Sequence, residues 1–348
     1  MNTPEPKRVV TFGEIMLRLS PPGHERLLQA ASLDLTFGGG EANVAVSLAN
    51  YGLDAAFITM LPDHEVGQAT INHLRRFGVD TSHIARGGDR VGIYFCENGA
   101  SQRGSNVVYD RAHAAVTQIT PEHIDIDAAL DGASWFHWTG ITPALGQGPA
   151  ECVRLLAAAC KQRGITVSCD LNFRAKLWTS EQAQRTMRPL MEHVDICICN
   201  EEDAQKSLGL EPENTDVEKG ELDIDAYTRL AGRLKSAFGF THVAITLRES
   251  FSASRNGWSA LMLDDDACNP AKRSARYDIQ LIDRVGGGDA FAGGLIAGLL
   301  SESSSADALE FAVAASCLKQ TIPGDFNLVS RRDVEKLISS GGSGRVQR

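Results

Sequence analysis

Short apolar runs alternate with longer amphipathic segments over most of this chain. The apolar runs are typical of buried strands, and the longer segments repeat their apolar residues every three or four positions, as helices do. Strands are predicted at 135–141, 165–172, 194–200 and 241–247, and helices at 149–164, 180–193, 226–239, 306–319 and 331–339. This alternation predicts an α/β fold with a mostly parallel central sheet covered by helices on both faces.

The first 115 residues are less regular. In this part, strands are predicted at 8–17, 27–37 and 55–61 and helices at 38–52 and 65–77. Two or three further strands are predicted near the other end of the chain, within 251–281. Hairpin-like segments at about 14–37 and 91–115 interrupt the alternation and predict a small β-sheet lid. We expect one three-layer α/β/α domain over residues 1–340, a surface loop at 211–224 and a disordered tail at 341–348.

Bulk properties exclude several classes of protein. The 348 residues carry a formal net charge of −10, which argues against nucleic acid or an anionic membrane as a partner. No run approaches the roughly 20 apolar residues of a membrane span. The start, M-N-T-P-E-P-K-R, shows no secretory signal, and none of the eight cysteines has C-x-x-C spacing. We therefore expect a cytoplasmic protein with free cysteines.

The most informative stretch is D-R-V-G-G-G-D-A-F at 283–291. Gly286, Gly287 and Gly288 let a ligand approach the backbone closely, and a helix beginning near Gly288 points its free N–H groups at that ligand. Such a turn is a site for an anion, most simply phosphate. Asp289 would repel that anion unless it has a task, such as taking a proton from a nucleophile. The alternative is a tight packing turn with an ordinary N-terminal aspartate.

Polar residues at the ends of predicted strands point to the same crevice. Asn172, Asn200 and Thr246 each end a strand, and ligands of parallel sheets bind beyond the carboxyl ends. Arg174 follows one of these strands and suits a phosphate or an acidic substrate, or else belongs to a surface salt-bridge cluster. Asp203 suits either a helix N-terminus or a hydrated magnesium ion.

The lid segments contain Tyr94, Tyr109 and Arg111. In an extended strand Tyr109 and Arg111 point to the same face, so the two side chains are either packing residues or a clamp for a carboxylate. His137 and Trp138 lie in an apolar strand and are interpreted as core residues. Neither G-x-G-x-x-G nor G-x-x-x-x-G-K-[ST] occurs, which leaves the turn at 286–288 as the candidate phosphate site.

Taken together, these segments resemble the ribokinase-like (pfkB) carbohydrate kinase family. G-G-G-E-A-N-V-A-V-S-L-A-N-Y-G at 38–52 is similar to its N-terminal signature, and D-R-V-G-G-G-D-A-F-A-G-G at 283–294 to its C-terminal signature D-T-V-G-A-G-D-x-F-x-G. Four further segments, at 13–19, 107–111, 170–178 and 323–330, are most similar to those of 2-keto-3-deoxygluconate kinases.

The resemblance implies a role for each site residue, with ATP and Mg²⁺ as cofactors and a homo-oligomeric assembly. The implied catalytic residues are Asp289 as the base, Gly286, Gly287 and Gly288 as the anion hole, and Arg174 near the phosphate. The implied sugar-acid ligands are Gly38, Gly39, Gly40, Asn43, Tyr94, Tyr109, Arg111, Arg174, Asp289 and Asp325. The implied nucleotide ligands are Asn200, Thr246, Arg248, Asp283, Gly286 and Gly288, with Asp203 holding the metal through water.

The sequence departs from the family pattern at four places. T-L-R-E-S at 246–250, where such kinases bind nucleotide, lacks the glycine often found there. Arg284 replaces the usual Thr, Gly287 replaces Ala, and Asp203 stands where the N-x-x-E motif has Glu. Two rival functions stay open: a kinase of a neutral sugar, of the fructokinase or ribokinase type, and a non-catalytic sugar- or nucleotide-binding regulator. Arg111 separates the first rival from an acid-sugar kinase, because a neutral sugar offers it no carboxylate.

Overall fold

The strands of this molecule belong to two sheets of different size. A computed structural model describes residues 7–211, 223–266, 271–301 and 304–341. The strands are β1 (Arg8–Phe12), β2 (Met16–Ser20), β3 (Asp34–Gly38), β4 (Asp54–Leu61), β5 (Ile84–Arg86), β6 (Ile93–Glu97), β7 (Asn106–Asp110), β8 (Ala133–Thr139), β9 (Thr166–Asp170), β10 (Ile196–Cys199), β11 (His242–Ser252), β12 (Arg255–Leu263), β13 (Ala271–Arg273) and β14 (Tyr277–Gln280). The helices are α1 (Gly40–Asn50), α2 (Glu65–Arg76), α3 (Ile126–Ala129), α4 (Ile141–Ala144), α5 (Gln147–Arg163), α6 (Ser180–Leu190), α7 (Glu201–Leu208), α8 (Ile224–Phe238), α9 (Gly287–Leu300), α10 (Ser305–Lys319) and α11 (Arg331–Ser340).

The larger sheet is mostly parallel, as the sequence predicts. Its strand order is β13-β12-β11-β10-β9-β8-β1-β4-β5, with β14 also pairing with β12. All pairs from β11 to β5 are parallel, and β12 pairs antiparallel with its neighbours. The chain leaves β1 towards β4 on one side and later builds β8 to β11 on the other. The order therefore reverses between β1 and β8, where sheets of this kind bind ligands.

Two apolar clusters cover the faces of the large sheet. One contains the buried faces of α1, α9 and α10, and the other those of α5, α6 and α8. His137 and Trp138 are fully buried, as expected for packing residues. The seven described cysteines are free and buried, while Cys268 lies outside the described residues. No helix in the described ranges is long and apolar enough to cross a membrane.

The smaller sheet has four strands in the order β3-β2-β6-β7 and confirms the predicted lid. Register places Thr36, Arg18, Tyr94 and Tyr109 in one cross-strand row. The adjacent row contains Leu35, Leu19, Phe95 and Val108. Because side chains alternate between faces, the first row faces the molecule and the second faces away from it.

Two predicted strands in the N-terminal part were wrong in their extent. The strand predicted at 8–17 is two strands, β1 in the large sheet and β2 in the lid, and the chain changes sheet at Gly13. A Cβ at Gly13 would lie 2.1 Å from Glu41 Oε2, so glycine is needed for this close approach. Of the strand predicted at 27–37, only 34–37 is extended, and Leu28 is 86% exposed.

Other boundaries differ slightly from the expectations. The helix predicted at 180–193 ends at Leu190 and continues as a short 3-10 turn. Most of the loop predicted at 211–224, and the tail beyond Gly341, lie outside the described residues.

Candidate active site

A cavity of about 670 Å³ lies along the carboxyl ends of the parallel strands. It extends from the end of β1 to β11, four strand spacings or about 19 Å away. Most residues predicted for the site line it: Gly38, Gly39, Gly40, Asn43, Tyr94, Tyr109, Arg111, Arg174, Asn200, Asp203, Thr246, Arg248, Gly286, Gly288, Asp289 and Asp325. Asn172 also lines it, whereas Gly287 and Asp283 do not. A cavity of this length accommodates two ligands end to end.

The first glycine turn positions the start of α1 against the lid. A Cβ at Gly39 would lie 1.9 Å from the carbonyl oxygen of Glu14, so no other residue fits this backbone approach. The amide of Asn43 is oriented from both sides. Its oxygen accepts from Gly39 N–H at 3.2 Å, and its nitrogen donates to Asp289 Oδ2 at 2.6 Å. Asn43 therefore links the first turn to the predicted base.

The second glycine turn provides the start of α9, one residue earlier than the predicted Gly288. Gly286 has φ +80°, and a Cβ there would also lie 2.1 Å from the carbonyl oxygen of Asp325. Gly287 N–H donates to Arg284 O at 3.3 Å. Within the described ranges, no hydrogen bond uses the N–H groups of Gly288 or Asp289. These groups remain available to an anion in the cavity.

Buried side chains of α10 donate hydrogen bonds to backbone carbonyl oxygens of the second turn. Lys319 is fully buried, and its ammonium donates to the carbonyl oxygens of Asp283 and Val285. Ser316 Oγ donates to Gly287 O at 2.7 Å. The side chain of Gln320 lies 3.1 Å from the position of a Cβ on Gly287. A Cβ at Gly287 would therefore require a small shift of Gln320. Gly287 itself is buried.

Asp289 lies between the two glycine turns. Burial raises the pKa of its carboxyl to about 6, while the hydrogen bond from Asn43 and the charges of Arg174 and Lys319 act in the opposite direction. The raised pKa makes the carboxylate a stronger base than an ordinary aspartate while leaving it mostly ionised at neutral pH. This is the protonation state that proton abstraction requires.

Two further carboxylates line the cavity near Asp289. Burial raises the pKa of Asp203 to about 6, and burial and the charges of Asp203 and Asp289 raise the pKa of Asp170 well above its usual range. Arg174 lowers the pKa of both, although its own Nη1 donates to Phe173 O at the cavity edge. Asp170 was missing from the predicted site, although it stands beside the predicted Arg174 in D-L-N-F-R.

These carboxylates bear on the metal expected at Asp203. No group of three or more metal-ligating side chains in the described ranges could hold a metal ion by itself. Asp203 also uses Oδ1 to accept from Phe173 N–H at 2.9 Å. The site fits Mg²⁺ held mainly by water and substrate phosphates, beside a surplus of negative charge.

At the lid end of the cavity, the cationic side chains already have partners. Arg111 Nη2 donates to Glu14 Oε2, and its guanidinium lies 5.3 Å from the centre of the Tyr109 ring. Glu14 is buried, and burial raises its pKa against the opposing charge of Arg111. Arg111 therefore pairs with a carboxylate of the protein itself, and no local pattern in the sequence indicates this pair.

A second set of pairs joins the lid to the second glycine turn. Arg18 donates to Asp325 Oδ1 at 2.5 Å and to Asp283 Oδ2 at 2.6 Å, and all three side chains are at most 3% exposed. Tyr94 donates its hydroxyl proton to Asp325 Oδ2. Asp283 also accepts from Val285 and Gly324 N–H. Asp283 is thus bonded within the protein, and its contact with nucleotide stays a prediction.

Four residues of this end were not predicted: Glu14, Arg18, Glu41 and Lys319. Glu41 accepts hydrogen bonds from Thr139 and Thr142, which ties the start of α1 to the end of β8. The only sequence signal was their charge within otherwise apolar segments, since a charged residue is rarely fully buried unless it is paired.

The opposite end of the cavity is formed by one face of the β11–β12 hairpin and by the residues before the second turn. Thr246, Arg248, Ser250, Trp258 and Arg284 line it. Arg248 and Arg284 make no salt bridge within the described ranges. This end therefore combines cationic side chains with an aromatic wall.

Two glycine turns, an intervening carboxylate, a β-lid and a cavity across a parallel sheet define a kinase that phosphorylates a small hydroxylated substrate. The chain belongs to the pfkB family of carbohydrate kinases, whose model matches residues 6–327.

Known proteins similar to this chain cover nearly its whole length. The crystal structure of a 2-dehydro-3-deoxygluconokinase from Thermotoga maritima is 51% identical, with a TM-score of 0.92 over 97% of this chain and 99% of that one. A 2-dehydro-3-deoxygalactonokinase from Haloferax volcanii is 34% identical over 97% of this chain and 98% of its own length. Fructokinase-1 from Oryza sativa is 26% identical over 95% of this chain.

Proposed function

We propose that this protein phosphorylates the terminal hydroxyl of 2-keto-3-deoxygluconate with ATP to give 2-keto-3-deoxy-6-phosphogluconate. The observation that carries the proposal is the position of Asp289, bonded to Asn43 from the first turn and located at the anion-binding start of α9. The sugar acid is favoured because the 51% identical structure from Thermotoga maritima bears the name of that activity, and because Arg111 lies in the cavity.

The reaction follows from the arrangement of these groups. Asp289 takes the proton of the terminal hydroxyl of the sugar. As this proton leaves, the hydroxyl oxygen forms a bond to the γ-phosphorus of ATP, and the bond between that phosphorus and the oxygen of the β-phosphate breaks. A positioned base of this kind contributes about 10²- to 10⁴-fold to the rate. The N–H groups of Gly288 and Asp289 and the guanidinium of Arg174 stabilise charge on the transferred phosphoryl group.

Mg²⁺ would be held by water and the ATP phosphates beside Asp203 and Asp170, and it would neutralise charge on the phosphates. The sugar would lie between Gly38–Asn43 and the lid residues Tyr94, Tyr109 and Arg111. Asp325 lines this end, but both of its oxygens are engaged by Arg18 and Tyr94. Its part in sugar binding is thus to hold Tyr94.

We also propose that the protein forms a homo-oligomer through the outer face of the lid. The row Leu35, Leu19, Phe95 and Val108 is apolar across all four strands, and Leu35 and Val108 are 58% and 46% exposed. Contiguous exposed apolar surface of this kind is typical of protein interfaces. Light scattering should give a multiple of the 37.5 kDa chain mass, and Leu35→Lys should lower it. A monomeric wild-type protein would contradict this assembly.

A coupled ADP-release assay over a panel of sugars tests the activity. The panel contains 2-keto-3-deoxygluconate, its C4 epimer 2-keto-3-deoxygalactonate, fructose and ribose. We expect the highest kcat/KM with 2-keto-3-deoxygluconate, and the epimer shows how far the site tolerates a change at C4. A higher kcat/KM with fructose or ribose would support a neutral-sugar kinase instead. Retained ligand binding with no ADP release from any sugar would support the non-catalytic regulator.

A further inference from the structure

The position where this sequence departs most from its family pattern, Arg284, lies in the cavity wall. Its side chain leaves the loop two residues before Gly286 and reaches the β11–β12 hairpin. Its Nη2 donates to the side-chain oxygen of Asn256 at 3.1 Å, in the amide orientation that also lets Asn256 donate to Arg255 O. Asn256 is fully buried, so it fixes the guanidinium in place.

A second arginine faces the same space. Arg248 lies opposite Trp258 in the antiparallel register of β11 and β12, and Ser250 lies opposite Asn256. Residues two apart on a strand share a face, so the hairpin presents Arg248 and Ser250 beside Trp258 and Asn256. The pKa of Arg284 lies below its ordinary value because the guanidinium is partly buried and because the charge of Arg248 is close.

Neither arginine has a carboxylate partner in the described part of the chain. Two neighbouring like charges repel each other. An anion between the two guanidinium groups would offset that repulsion, and the planar fork of an arginine suits phosphate oxygens.

We propose that Arg248 and Arg284 form a clamp for the diphosphate part of the nucleotide, on the side of the second turn away from Asp289. This inference rests on the proposed function for the identity of the anion, which is a nucleoside di- or triphosphate. The free N–H groups of Gly288 and Asp289 hold the phosphoryl group being transferred, so the arginines hold the group that leaves. Arg284 is then a determinant of phosphoryl-donor binding in place of the family's threonine.

Calorimetric titration without sugar tests the clamp separately from the sugar specificity. The ligands are ADP, inorganic tripolyphosphate and adenosine, with adenosine measured by competition against ADP. The variants are Arg248→Met, Arg284→Met and Arg284→Thr. The control is Arg255→Met in the same hairpin, since Arg255 pairs with Asp278 and does not line the cavity.

Each of the three variants should weaken ADP and tripolyphosphate by roughly 10- to 100-fold, as for the loss of a charge-assisted hydrogen bond. Adenosine should stay within about twofold, and Arg255→Met should bind all ligands as the wild type does. Equal losses for adenosine and ADP would overturn the proposal in favour of a base contact. Unchanged ADP affinity in both Arg248→Met and Arg284→Met would overturn it outright. Absence of sugar phosphorylation would instead count against the proposed function.

Discussion

The two ends of the cavity differ in whether their arginines are paired with carboxylates. At the lid end, Arg18 is buried between Asp283 and Asp325, and Arg111 is paired with Glu14. At the hairpin end, Arg248 and Arg284 have no carboxylate partner within the described ranges. Paired charges fix a rigid geometry before substrate arrives, whereas unpaired charges bind an anion that the substrate itself brings. We infer that the lid end holds Arg111 in a fixed position to select an acid sugar, and that the hairpin end supplies affinity for phosphate.

Asp289, between the two ends, is the residue whose loss should have the largest effect. Asp289→Asn keeps the hydrogen-bonding shape but removes the base, so kcat should fall by about 10²- to 10⁴-fold. Binding of ADP and of the sugar should change far less, which calorimetry can verify. Near-normal turnover in this variant would remove Asp289 from the mechanism.

The buried pairs at the lid end predict a large difference in stability between two arginines. Arg18→Met leaves two buried carboxylates without their cation and should cost about 3–5 kcal/mol in the free energy of unfolding. Arg248→Met removes an exposed, unpaired charge and should change stability by less than about 0.5 kcal/mol. Urea denaturation of both variants measures the contrast. Equal effects would show that the ends do not differ as described.

The raised pKa of Asp289 predicts a specific acid limit to activity. The base must be ionised, so kcat/KM should fall tenfold per pH unit below about pH 6, where an ordinary aspartate would remain active. The folded state also binds this proton more tightly than the unfolded state. The protonated form therefore contributes stability at low pH that is lost as pH rises through about 6.

The same direction of the pKa shift predicts how Asp289→Asn changes the melting temperature at different pH. Asp289→Asn should raise Tm at pH 8, where the wild type carries the buried charge, and the gain should disappear near pH 4. A gain that persists at pH 4 would mean that the carboxylate charge is not its source.

A smaller effect is expected at Glu14. Glu14→Gln retains the size of the side chain but removes a negative charge next to Arg111, so the KM for an acid sugar should fall by about two- to fivefold. The KM for fructose should not change, because it carries no charge. A parallel change for both sugars would indicate a change of shape rather than of charge.

Local patterns in the sequence predicted the parts of the site that depend on neighbouring residues. The glycines before α9 predicted its start to within one residue, because a glycine turn followed by small apolar residues is itself the structure. The alternation after residue 135 predicted the parallel sheet for a similar reason. These features need no knowledge of distant segments.

Contacts between distant segments could not be predicted in this way. Arg18 lies 265 and 307 positions from the aspartates that it pairs with, so nothing near it indicated that it is buried. The apolar run at 8–17 continues through Gly13, and hydrophobicity alone does not show that the chain changes sheets there. The pairing of Arg111 with Glu14 is of the same kind.

The ratio of kcat/KM for an acid sugar to kcat/KM for a neutral sugar tests most directly whether the protein is an acid-sugar kinase. We would measure kcat/KM for 2-keto-3-deoxygluconate and fructose in the wild type, in Arg111→Met and in the control Arg103→Met. Arg103 is a lid arginine paired with Glu97 and does not line the cavity. The acid sugar should be strongly preferred by the wild type and the control, and the ratio should fall at least tenfold in Arg111→Met. A wild type that prefers fructose, or a ratio unchanged by Arg111→Met, would contradict the account.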